Sequence, residues 1–232
     1  MNLCDHLPLA DRHEAGRLLA PDLDFLSDAH GLIVLGLPRG GVVVAAEIAR
    51  ALHAPLDVLV VRKIGLPGHP EYAIGALASG GVQVLDMAAA SRVAPSRLHA
   101  AIRAEAAELA RREAAYREGR PAPVLRGRTV LLVDDGVATG ATLEAAARSA
   151  RRQQARQVVA CAPVASAEAA RRLAPWVDAT VFGAVPEPFG AVGAWYQAFG
   201  QTSDEEVLEA LRSARPQTAD ASSDAGPQGA GP

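Results

Sequence analysis

The stretch Val130-Leu-Leu-Val-Asp134-Asp135-Gly136-Val-Ala-Thr139-Gly140-Ala-Thr142 decides how the rest of the chain reads. A short, wholly apolar run predicts a buried strand, and the Ala-rich segment 142–153 that follows predicts a helix. Between them the strand delivers two adjacent carboxylates to its carboxyl end, which is where open α/β sheets place their ligands. Loop 136–142 then turns into the helix N-terminus. Free backbone N–H groups, the positive end of the helix dipole and two threonine hydroxyls converge there on one small volume, a combination suited to a phosphate monoester dianion.

Asp134 and Asp135 would repel such a phosphate directly, so they need another task. Accepting hydrogen bonds from a sugar diol while ordering a hydrated Mg²⁺ fits both charge and spacing, and the segment reads as a cradle for a ribose 5-phosphate. Two competing motifs fail. The loop lacks the Gly-Lys-Ser/Thr ending of a nucleotide-triphosphate P-loop, and no GxGxxG follows the first strand. The plain structural alternative is a helix-capping Thr-Gly loop flanked by two surface acids.

Working outward, apolar strands at 32–36, 57–62, 129–133, 157–162 and 179–182 alternate with helices at 42–52, 142–153 and 166–173. Continuous Val/Leu/Ile runs separated by helices predict an α/β fold: a doubly wound, mainly parallel five-stranded sheet with helices on both faces. An insertion separates the second and third strands. It comprises a hairpin over 73–86 turning at Gly80-Gly81, then a long charged helix over 96–118 that starts at Pro95 and stops at Gly119. An amphipathic helix over 11–26, interrupted at Pro21, precedes the first strand. The expected organisation is one domain over 1–212, with a core at 30–185 and a small hood from the N-terminal helix and 186–200. The Ala/Ser/Gly/Pro tail 213–232 is expected to be disordered.

Composition bounds the function. With 232 residues, 50 % hydrophobic and 21 % charged, the chain is an ordinary globular protein. Two cysteines, Cys4 and Cys161, exclude a disulfide framework or a four-cysteine zinc site. A formal charge of −3 argues against a general nucleic-acid binder. No apolar run approaches a membrane span and the first residues carry acids, so the expectation is a soluble, cytoplasmic protein without signal peptide. Among 23 Lys and Arg side chains the single lysine is Lys63, inside Arg62-Lys63 at the end of an apolar run.

Three further segments carry chemistry. Gly36-Leu-Pro38-Arg39-Gly40-Gly41 follows the first strand. Its glycines let backbone approach an anion, the next helix offers its positive end, and Arg39 adds a fork of donors. Arg62-Lys63-Ile-Gly-Leu-Pro-Gly-His69-Pro-Glu71-Tyr72-Ala-Ile-Gly75 reads as a loop able to move and close over a ligand. Residues 186–199 concentrate Phe189, Trp195, Tyr196 and Phe199 in a chain with 4 % aromatics. They serve either as a hood stacking on a flat acceptor or as core sealing the sheet edge. Residues 11–16 (DRHEAG) form a charged helix start.

The run 130–142 resembles the motif that binds 5-phosphoribosyl 1-diphosphate (PRPP) in type I phosphoribosyltransferases, position by position. RKIGLPGHPEYAIGA resembles uncharacterised bacterial proteins with that domain, which carry a DR-x-x-AG segment comparable to the one containing Arg12. The resemblance implies that Asp134 and Asp135 hold the ribose hydroxyls and, through them, Mg²⁺, and that Val137, Ala138, Thr139, Gly140, Ala141 and Thr142 wrap the 5-phosphate. It implies a pyrophosphate site of Arg39, Gly40, Gly41, Arg62 and Lys63, with Arg39, Lys63, Asp134 and Asp135 as the catalytic set. His69, Glu71 and Tyr72 fall on the flexible loop, and Phe189, Trp195 and Tyr196 on the acceptor hood. The expected reaction is displacement of pyrophosphate from ribose C1 by a nucleobase or similar nitrogen acceptor. The long helix 96–118 is a candidate homodimer surface. The alternatives are a PRPP-binding regulator with little turnover and, lower, a sugar-phosphate hydrolase, for which no His/Asp metal cluster is visible.

Overall fold

The structure is a computed structural model that describes residues 3–214, without the side chains of Pro70 and Glu71. Strands β1 (Ile33–Gly36), β2 (Leu56–Val58), β6 (Thr129–Val133), β7 (Gln157–Val164) and β8 (Ala179–Ala184) form one sheet in the order β2-β1-β6-β7-β8. Every neighbouring pair in it is parallel. The α/β, doubly wound, five-stranded sheet expected from the sequence is therefore the fold of the chain.

Successive residues of the inner strands supply two different cores, because side chains alternate across a strand. Val34, Leu131, Val133, Val159 and Cys161 face one side, under helices α1 (Arg12–Leu19) and α2 (Gly40–Ala51). Ile33, Leu35, Val130, Leu132, Val158 and Ala160 face the other, under α5 (Ala141–Arg152) and α6 (Ala167–Leu173). The chain leaves β1 through α2 toward one sheet edge, and leaves β6 through α5 toward the opposite edge. The carboxyl ends of β1 and β6 thus flank the point where the winding reverses, the place where such sheets bind ligands.

The close packing of α1 on α2 depends on Gly16. A Cβ there would lie 2.6 Å from Val44 O and 2.7 Å from Glu47 Cβ. The contact fixes the first turn of α1, which Asp11 caps by accepting from Glu14 N at 2.8 Å.

The insertion departs from expectation in one respect. The segment 57–62, which reads as one strand, is divided: β2 ends at Val58, and Ser79 exchanges hydrogen bonds with both backbone groups of Val60. These contacts close the parallel ladder and begin an antiparallel one, so that β3 (Val61–Leu66), β4 (His69–Ala78) and β5 (Val82–Leu85) form a second, three-stranded sheet. The residues expected as a mobile loop are therefore a β-hairpin, turning where Gly68 adopts φ +96°. The turn expected at Gly80-Gly81 is present, both with positive φ.

Helix α3 (Met87–Ala90) is a single turn, and α4 (Pro95–Arg117) is the long charged helix. Helix α7 (Asp204–Ser213) is an element that the sequence reading lacks. Ser203 and Glu206 cap its start reciprocally, and it reaches one residue into the segment assigned to the tail; residues 215–232 of that segment lie outside the described residues. Ile64, Ile74, Leu109, Tyr116, Val207 and Leu211 join in a third core that holds the small sheet against the large one. Beside it Arg117 and Asp57, both buried, pair at 3.1 Å, and Arg117 Nη2 donates to Val58 O. Among the described residues no helix is long and apolar enough to cross a membrane.

Candidate functional site

Beyond Val133 the ladder continues one step, with Asp134 N donating to Cys161 O at 3.1 Å. Asp134 Oδ1 accepts from Asp135 N at 2.9 Å. Burial, and then the neighbouring Asp135 charge, push the Asp134 carboxyl well above its ordinary pKa. The following loop is clamped from β7 and α6: Val137 N donates to Val164 O, Ser166 N donates to Val137 O, and Ser166 Oγ donates to Ala138 O. Ala138 and Thr139 remain exposed. Gly140, at φ +75°, turns the chain into α5, whose N-terminus carries no side-chain cap. Of its first amides, Ala141 N makes a long 3.5 Å bond to Thr139 Oγ1, one that an anion at the helix start could replace.

The second loop lies directly against the acid pair. Leu37 N donates to Val133 O at 2.9 Å, drawing residues 37–41 alongside β6. The Pro38–Arg39 peptide is cis, and Arg39 stands exposed at the start of α2. A Cβ on Gly40 would sit 1.9 Å from Asp135 Oδ2, and one on Gly41 would sit 2.8 Å from Asp134 Cα. No side chain fits at either position. The two loops that the sequence presents separately, one for sugar and phosphate and one for pyrophosphate, form one continuous surface.

Lys63 is exposed on β3 and lines a cavity of about 400 Å³ with Ile74, Gly75, Ala141, Thr142 and Arg148. It therefore faces the 5-phosphate loop across this space. Arg62 does not accompany it. Adjacent strand residues point to opposite faces, and Arg62 Nε donates to Glu105 Oε2 of α4 at 2.8 Å. In this structure Arg62 is thus paired with Glu105 and does not line the Lys63 cavity. His69 and Tyr72 line a different cavity, of about 420 Å³, with Leu66, Ala89 and Arg92. The Glu71 side chain lies outside the described residues.

The aromatic segment resolves differently for each ring. Trp195 Nε1 donates to Phe189 O at 2.9 Å, and both side chains pack against the α1–α2 core. Their role here is packing. Tyr196 is buried; its hydroxyl donates to Asp135 O at 2.6 Å and its ring stacks on Phe199 at 5.0 Å between centroids. Burial, above all, raises the phenol pKa, with the Asp135 charge adding to it. Tyr196 supports the acid pair from beneath rather than offering a free stacking face.

Sequence reasoning connects Arg12 to the cleft only through the resemblance of its segment to DR-x-x-AG, and does not include it in the site set. Its Nε donates to Asp135 Oδ2 at 2.7 Å, its Nη1 donates to Gly200 O at 3.0 Å, and its guanidinium lies 4.1 Å from the Phe199 ring centre. The available signal is Asp11 to Gly16, a capped turn followed by a glycine that sets the helix against its neighbour. Among the described residues no group of three or more His, Cys, Asp or Glu could hold a metal. The two adjacent carboxylates suit Mg²⁺, which commonly binds through one or two carboxylates plus substrate phosphates.

Residues 19–182 match the model of the phosphoribosyl transferase domain family. The chain is 46% identical over 203 residues to "Putative phosphoribosyl transferase Rv0571c" of Mycobacterium tuberculosis strain ATCC 25618 / H37Rv. It is equally similar to the counterpart MT0597 of strain CDC 1551 / Oshkosh. The match takes in 87% of this chain and 46% of either relative, so the chain spans about half the length of the curated relatives it matches. Among solved structures, TT1426 from Thermus thermophilus is 47% identical, with a TM-score of 0.75, over 87% of this chain and 96% of that one.

Proposed function

The chain belongs to the phosphoribosyl transferase domain family, and from that premise we propose that it uses PRPP to transfer a 5-phosphoribosyl group to a nitrogen acceptor, releasing pyrophosphate. One observation carries the reading: at the winding reversal, Asp134 and Asp135 stand wedged against Gly40 and Gly41 and precede the uncapped N-terminus of α5. Diol acceptors, a loop fit for pyrophosphate and a helix start fit for phosphate thereby adjoin one another from separate stretches of chain.

In this reading the bond from ribose C1 to pyrophosphate breaks ahead of bond formation. Negative charge gathers on the leaving group while C1 becomes oxocarbenium-like. Asp134 and Asp135 orient the diol, and the amides of Ala141 and Thr142 hold the 5-phosphate. Arg39 and Lys63 meet the developing charge, so the protein's contribution is placement and electrostatics. A Mg²⁺ arriving with the substrate phosphates would sit against Asp134 and Asp135 and supply further positive charge to the leaving group.

The test is pyrophosphate release from Mg·PRPP across purines, pyrimidines and pyridine carboxylates. Lys63→Ala is expected to lower the rate about 10²–10³-fold, the range for losing one transition-state contact, with a much smaller change in PRPP affinity by calorimetry. Binding without release across the panel would identify a PRPP-responsive regulator instead. Absence of PRPP binding would refute the reading outright.

A further inference from the structure

We infer that Arg12 is the resident counter-ion of Asp135, a positioning residue with which the donor competes, and that its displacement loosens the Phe199–Gly200 end of the segment beside the pocket. The inference rests on the donor reading above for what does the displacing, but the counter-ion role stands on geometry alone.

Asp135 Oδ2 is enclosed on two sides. Arg12 Nε sits 2.7 Å from it, and the position of a Gly40 Cβ would be only 1.9 Å away. The pair is largely withdrawn from water, with 13% and 16% of the two side chains exposed. A divalent cation approaching Oδ2 meets a like charge 2.7 Å from that oxygen and competes with the guanidinium for it. The exchange gains charge at the site, since Arg12 supplies one positive charge to two adjacent acids and an incoming divalent cation supplies two.

Arg12 is tied to more than the acid. Its Nη1 holds Gly200 O and its plane covers Phe199, which stacks in turn on Tyr196, whose hydroxyl holds Asp135 O. Segment 196–200 is therefore fastened to Asp135 through Tyr196 and through Arg12, while Gln197 N and Ala198 N donate to Leu9 O and Ala10 O, so that release of Arg12 bears on its Phe199–Gly200 end. A cleft of about 260 Å³ adjoins this fastening, lined in part by Arg12, His13, Ala198, Gly200, Gln201 and Thr202. Releasing Arg12 from Asp135 alters a wall of that cleft, so occupancy of the donor site is communicated to the neighbouring space. In arginine one planar group makes the ion pair, the carbonyl hydrogen bond and the ring contact together, whereas lysine would keep the charge alone.

The experiment uses Mn²⁺ as probe, without PRPP, and reads free Mn²⁺ by electron paramagnetic resonance. The wild-type protein, its counter-ion in place, is expected to bind Mn²⁺ at least tenfold more weakly than Arg12→Gln, which keeps the bulk and removes the charge. Arg12→Lys is expected to restore exclusion, and Asp135→Asn in the Arg12→Gln background to abolish the gained site. Equal Mn²⁺ binding by wild type and Arg12→Gln, or a gained site insensitive to Asp135→Asn, would overturn the counter-ion role. A purely structural Arg12 would shift melting temperature without moving any of these. In the wild-type protein, the Phe199 ring resonances in the NMR spectrum are expected to shift on adding Mg·PRPP, as the guanidinium leaves the ring; unmoved resonances would overturn the coupling. Should calorimetry show no PRPP binding, the donor reading falls while the Mn²⁺ result still decides the role of Arg12.

Discussion

At the scale of single residues, the site is a problem of space before it is one of charge. Gly40 and Gly41 admit no Cβ because the acid pair occupies the room it would need. Gly40→Ala is therefore expected to push Asp135 or the loop aside and weaken PRPP binding at least tenfold, about 1.4 kcal/mol, while the circular dichroism spectrum stays that of the wild type. Calorimetry and spectroscopy on the same sample check both halves. These glycines and the two aspartates are legible in the sequence because their chemistry is local: each stands within a few positions of a strand end and a helix start. Arg12 is not, because its meaning comes from a carboxylate 123 positions away. Arg62 and Lys63 read as one cationic pair, and the pleat of β3 separates them, sending one to Glu105 and leaving the other at the cavity.

At the scale of elements, α4 and α7 are joined by Tyr116, whose hydroxyl donates to Asp204 Oδ1 at 2.6 Å and whose ring is 1% exposed. Burial, and next the Asp204 bond, raise its pKa from 10.0 to about 12. The folded protein thus retains a proton that the unfolded chain surrenders near the ordinary tyrosine value. Stability from this group is complete below that value and disappears as pH climbs through about 12. Tyr116→Phe is expected to cost about 1 kcal/mol near pH 8, the worth of one hydrogen bond. The gap from wild type should narrow as pH climbs above 10, the ordinary tyrosine value, when urea unfolding is followed at successive pH values. Both elements mark what sequence reading catches and loses. Helix α4 is legible from Pro95 and Gly119 at its ends. Helix α7 carries an equally local signal in Ser203 and Glu206, but its nearness to an Ala/Ser/Gly/Pro tail masks it. The β3–β4 hairpin reads as a loop because Gly65, Pro67, Gly68 and Pro70 are breakers in isolation; pairing of β3 with β4, and of β4 with β5, makes Gly65 and Pro70 strand and leaves Pro67-Gly68 as the turn.

At the scale of the whole molecule, the buried alternation of β1, β6 and β7 makes the fold class plain from sequence, since a chain with apolar residues on both strand faces needs cover on both. The third core is less plain, because it is assembled from α4, the small sheet and α7 by contacts that no single segment reveals. Leu211, 2% exposed, closes it. Leu211→Ala is expected to remove about 2–5 kcal/mol, a fall in melting temperature of roughly 5–15 °C for a domain of this length. It should weaken PRPP binding little at temperatures where the variant is folded, which separates scaffold from site.

The hydrogen bond from Arg12 to Gly200 spans 188 positions. It joins the first regular helix to a stretch that precedes the last one. Loop closure of that length is entropically costly and yields its reward only once the intervening sheet exists. That contact therefore closes late, after both windings of the sheet have formed. A nascent chain that stops short of Gly200 would hold most of its hydrophobic interior while Arg12 still lacked the carbonyl that fixes it.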